Sequence, residues 1–116
     1  VTIAERRRDP RVRTDLPLRL TFKDKTVETV IFDLSSSGIR FRAPAALPIL
    51  SRVQIALELP EGQPGEPLAI AITGVVVRCL EGEVGADAPY DTAIFFEDIS
   101  EIARARLARF VSSRLS

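Results

Sequence analysis

Three stretches of this chain carry a large apolar residue at every second position, and that period of two decides most of what it can fold into. Leu16, Leu18, Leu20 and Phe22 share one side of "LPLRLTF", and Val53, Ile55, Leu57 and Leu59 share one side of "VQIALEL". Ile39 and Phe41 do the same in the shorter "IRFR". Successive side chains of an extended chain point to opposite faces, so each stretch reads as a strand with one face in a core. "VETVIF" (27–32) adds a β-branched strand. "LAIAITGVVVRCL" (68–80) and "DTAIFFED" (91–98) add two more. The last is apolar on both faces and is expected to be covered on both. Gly74, in the middle of the long run, marks a bulge or bend. "KDKT", "DLSSSG", "APAALP", "PEGQPGEP" and "EGEVGADAPY" are the intervening turns. Six short strands in this order predict a six-stranded antiparallel β-barrel.

After Ile99 the period changes. Ile99, Ile102, Ala103, Leu107, Phe110 and Val111 fall on one helical face, which predicts a C-terminal amphipathic α-helix over 99–116. Asp98 followed by Glu101 resembles a capping box, and the helix is expected to cover one barrel opening. The organisation is then an irregular, mobile leader (1–14), a barrel (15–98) and the helix (99–116). At 116 residues the whole is one domain. It does not begin with Met, so it is also readable as one module of a longer protein.

Composition narrows the chemistry. There is no histidine, which removes the commonest general base and metal ligand. The single cysteine, Cys79, has no partner for a disulfide and no zinc spacing, and suits a reducing cytoplasm. No catalytic constellation, metal site or cofactor motif is visible, so an enzyme is not expected. No apolar run is long enough to insert in a membrane. Formal net charge is zero, yet it is unevenly spread. Five arginines against Glu5 and Asp9 give residues 1–13 a net +3, and four arginines against Glu101 give residues 99–116 another +3. Basic ends on an acidic body point to a local anion site rather than a broad nucleic-acid surface.

Four of those arginines lie in "RRRDPR" (6–11). Pairing Phe22 with Val27 across "KDKT" sets Leu16 opposite Asp33. The "DLSSSG" turn (33–38) then returns to the end of the sheet where the leader enters. Arginine offers a rigid fork to phosphate oxygens or to the O6/N7 edge of guanine. Asp33 can accept from the N1–H and amino group of the same base, and Ser35 adds a small donor and acceptor. Gly38 permits close backbone approach or a positive φ. Arginines with one aspartate suit a guanine nucleotide, because a bare phosphate would be repelled by the carboxylate. Taken singly, each motif also has a plainer reading. The leader reads as a solvated tail, and the turn as Asp33 and Ser35 capping backbone groups.

Arg7-Arg8-Asp9-Pro10-Arg11 fits RxxxR and Asp33-Leu34-Ser35-Ser36-Ser37-Gly38 fits DxSxxG. Together, flanking a hairpin, they resemble the PilZ family of cyclic di-GMP receptor modules, and the resemblance spans essentially the whole chain. It implies a split-barrel of six strands with a C-terminal helix. It implies that Arg7 and Arg11 grip phosphate and the guanine edge, that Asp33 and Ser35 bind a guanine, and that Gly38 makes the tight turn. Arg6, Arg8 and Arg40 are weaker candidates, Arg6 for a second nucleotide. The expected function is a cytoplasmic receptor that orders its leader on cyclic di-GMP and so alters contact with a downstream protein or fused domain. It is expected to act as a monomer or weak dimer, without nucleic acid. The alternative is a PilZ-fold interaction adaptor, related to motility or pili, with weak or no nucleotide binding.

Overall fold

In the computed structural model, residues 10–60, 68–82 and 85–115 are described. They form β1 (Val12–Arg13), β2 (Pro17–Phe22), β3 (Lys25–Leu34), β4 (Gly38–Ala43), β5 (Arg52–Leu59), β6 (Leu68–Glu81), β7 (Tyr90–Asp98) and α1 (Glu101–Leu115). All six expected strands are present. Their pairing runs β3-β2-β5-β6-β7-β4 and closes through a β3–β4 ladder, so the sheet is a six-stranded antiparallel barrel. The alternating residues point inward. Leu20, Ile31, Phe41, Leu57, Leu59 and Val76 expose nothing to solvent, and each such side chain stabilises the fold by about 1.5–3 kcal/mol. Gly74 does mark a bulge between β6 and β7, where a Cβ would run into Ile94.

The first hairpin is tighter than the sequence suggests. Phe22 pairs with Lys25 and Leu20 with Val27, leaving only Lys23 and Asp24 in the loop. Lys23 takes φ 56°, the positive value that a two-residue hairpin turn asks of its first central residue. The register moves by two, an even number, so the same residues still face the core. What changes is the far end. β3 runs on through Asp33 and Leu34, and the end of the leader is not irregular there. Val12 pairs with Leu34 and Arg13 with Asp33, as an added short strand. Asp33 therefore faces Arg13, not Leu16.

The helix is capped by Ser100 rather than by an Asp98–Glu101 box. The Ala103 N–H donates to Ser100 Oγ at 3.1 Å, and the Arg104 N–H to the Ser100 carbonyl at 2.8 Å. Asp98 is still part of β7, which is why the cap comes two residues later. Leu107, Phe110 and Val111 enter the barrel's core cluster, with Ile99 and Ala103 at its edge. Ile102 does not join them and is 70% exposed, since it lies roughly 140° around the helix from Leu107. No helix among the described residues is long and apolar enough to cross a membrane.

Candidate ligand-binding cleft

The serine turn is built from its own backbone. Ser35 is buried, and its hydroxyl oxygen accepts the Gly38 N–H at 3.1 Å and the Ser37 N–H at 3.2 Å. The Ser35 N–H in turn donates to the Gly38 carbonyl at 3.0 Å. Ser35 thus does the capping that a serine in a turn does best. Gly38 serves close approach and not positive φ. It pairs with Phe95 on β7, and a Cβ there would lie 2.5 Å from the Ile94 carbonyl oxygen. Asp33 does not cap the turn. Its side chain is turned to the barrel's outer surface, where Arg11 Nη1 lies 3.5 Å from its Oδ2.

A bulge aims Asp33. On β3 the pairing with β4 shifts by one residue between Ile31–Phe41 and Asp33–Arg40, so Phe32 is the extra residue. Bulges of this kind bend a strand and redirect its side chains. Asp33 ends between Arg13 on β1 and Arg40 on β4. Arg40 has its own anchor. Its guanidinium sits 5.1 Å above the Phe32 ring and its Nη2 lies 2.7 Å from Asp91 Oδ2. That pair is about three-quarters buried, whereas Arg11 is 66% exposed. Arg40 is therefore fixed and neutralised, while the Arg11–Asp33 contact is long, wet and worth about 0–1 kcal/mol. Arg40 Nε and Asp91 Oδ1 are buried without a partner among the described residues.

These groups line an open cleft of about 100 Å³. One wall is polar, formed by Arg11, Asp33, Ser35, Ser37 and Arg40; the other is apolar, formed by Val77, Ala93 and Phe95. The apolar wall corrects the reading of the last strand. Phe96 is buried, but Phe95 is 53% exposed and Val77, turned out by a second bulge, is 51% exposed. The β7 outer face is uncovered because it borders the cleft. The structure thus brings together Arg11, Asp33, Ser35, Gly38 and Arg40 at one place. Arg6, Arg7 and Arg8 lie outside the described residues. Sequence reasoning missed Arg13, Phe32, Asp91, Val77 and Phe95. Only the doubled Phe95-Phe96 carried a signal, since adjacent residues of a strand must face opposite ways.

Fold and cleft together define a small closed barrel with an arginine–aspartate pair beside an open cleft near its first strand. The sequence matches the PilZ domain over residues 5–113, and the chain belongs to the PilZ family. PilZ is a family of cyclic di-GMP-binding receptor domains, not of enzymes. Among solved structures it is similar to the Bacillus subtilis inhibitor of motility MotI/DgrA, with TM-score 0.80 at 15% identity. That match covers 94% of this chain and 51% of the other, so this chain spans about half of MotI/DgrA. It is similar also to the PilZ domain of YcgR from Escherichia coli, solved with c-di-GMP, with TM-score 0.63 at 20% identity over 95% and 92% of the two chains. At these identities the likeness is one of fold. No curated protein matches the sequence.

Proposed function

We propose that this chain is a cyclic di-GMP receptor in which the ligand draws the RxxxR leader onto the barrel and so changes the surface offered to a partner. The observation that carries the reading is the juxtaposition of Arg11 and Asp33 beside a cleft with one polar and one apolar wall. A purine has that character, with hydrogen-bonding edges around an apolar face. Asp33 accepts from the N1–H and amino group of one guanine. Arg7 and Arg11 take phosphate oxygens and the O6/N7 edge. Ser35 and Gly38 act by holding the turn that presents Asp33. Arg6 and Arg8 supply further positive charge, and Arg40, locked by Asp91, gives a fixed flat edge to the site.

Two magnitudes support leader recruitment. The cleft of about 100 Å³ is well below the range of roughly 300–1,000 Å³ that encloses a small-molecule ligand. A leader drawn across it by the ligand adds wall that the cleft alone lacks. The Arg11–Asp33 contact is worth about 0–1 kcal/mol, whereas hydrogen bonds to charged groups are worth about 1.5–3 kcal/mol each. A ligand that offers Arg11 a phosphate and Asp33 a base therefore displaces their mutual contact. Downstream the ordered leader acts on a fused domain or a separate cytoplasmic protein.

Calorimetric titration of cyclic di-GMP tests this. Wild type is expected to bind, and Arg11→Ala and Asp33→Ala each to lose about 10- to 150-fold in affinity. Absence of heat with wild type at tens of micromolar would sink the reading. If a partner still bound an Arg7→Ala, Asp33→Ala double variant as well as wild type, the adaptor role would replace it.

A further inference from the structure

The opposite ends of β3 and β4 enclose a second cavity, of about 280 Å³, that no feature of the cleft requires. Leu20, Phe22, Val27, Phe41, Ala43 and Leu47 wall it, with Ala45 and Ala46 at its exposed lip. Leu20 and Phe41 form a floor with no solvent exposure. The charged groups among its lining residues are Lys23, Asp24 and Lys25, all at the exposed β2–β3 hairpin. Away from that hairpin every lining side chain is apolar, so a water inside has few partners there. The cavity suits hydrocarbon.

The rim suits an anion. Lys23 holds φ 56°, a conformation in which glycine would be less strained. In that conformation its ammonium lies 5.4 Å from the centre of the Phe22 ring, on the cavity wall. Lys25 adds a second cation against the single carboxylate of Asp24. We infer that this barrel end is a binding site for a medium-chain aliphatic carboxylate, with its tail against the partly exposed Phe22, Val27 and Leu47 and its head at Lys23 and Lys25. The volume is about twice that of a cavity that takes up one benzene, which leaves room for roughly eight to ten carbons. The site stands at the far end of the barrel from Asp33 and does not depend on the nucleotide reading.

Calorimetry on the intact chain with hexanoate, octanoate, decanoate, decanol and decylamine tests it. Decanoate is expected to bind saturably at one per chain, with affinity rising about fourfold per methylene from hexanoate upward. Lys23→Gln with Lys25→Gln should weaken decanoate about tenfold and leave decanol unchanged. Ala46→Trp, on the exposed lip, should block both ligands in a protein whose circular dichroism melt is intact. No saturation, equal affinity for decylamine, or decanoate binding that survives Ala46→Trp would each overturn the proposal. So would lysine-dependent binding to phosphatidylglycerol vesicles that is indifferent to Ala46→Trp, because the surface would then belong to a lipid headgroup layer.

Discussion

A Cβ on Gly38 would lie 2.5 Å from the Ile94 carbonyl oxygen, and that oxygen belongs to backbone in the middle of a ladder. It cannot swing aside as a side chain would. Gly38→Ala is expected to destabilise the fold by about 1–3 kcal/mol, read as a lower urea midpoint at unchanged slope. Gly38 and Ser35 were legible as a turn, with Ser35 as a backbone cap, but the sequence left Gly38 between close approach and positive φ. Only the position of β7 decides between the two in favour of space. Asp33 behaves the other way. The pattern left it between capping and binding, and its outward orientation beside Arg11 separates it from the turn that Ser35 holds.

Elements were read well where periodicity is long and poorly where it stops. β2 and β5 lie on their alternating stretches because four inward residues in a row admit one register of faces. Ends depend on neighbours. β3 continues through Asp33 because β1 and β4 supply ladder partners there, and no local propensity announces that. The helix start shows the same limit. Ser100→Ala is expected to cost about 1 kcal/mol in thermal or urea unfolding. Asp98→Ala, on an exposed strand end, should stay within about 0.5 kcal/mol. The reverse order would restore the Asp98–Glu101 cap. Ile102 was placed on the buried stripe by its type, but the stripe is narrower than the run of apolar residues.

At the scale of the molecule, barrel and helix share one core. Leu107 is fully buried with Phe110 and Val111 against strand residues. Leu107→Ala should therefore cost about 2–5 kcal/mol. Helical ellipticity and near-ultraviolet signal should fall together in one transition. A separate early loss of helix would show that α1 is an appendage. The same closure sets two unlike sites apart. Asp33 lies at one end of the β3–β4 pair and the apolar cavity at the other, so each can be altered without the other.

The alternation of apolar residues determined the strands, their inward faces and the closed antiparallel class, because a side-chain period of two is a local property of extended backbone. The paired RxxxR and DxSxxG motifs determined the family. Tertiary structure alone decided which groups meet. One-residue bulges at Phe32 and Val77 turn Asp33 and Val77 to a common cleft, and Asp91, more than fifty residues from Arg40, takes that arginine out of competition for Asp33. A bulge is a mismatch between two strands; a glycine announced the one at Gly74, but neither Phe32 nor Val77 carries such a mark in its own strand.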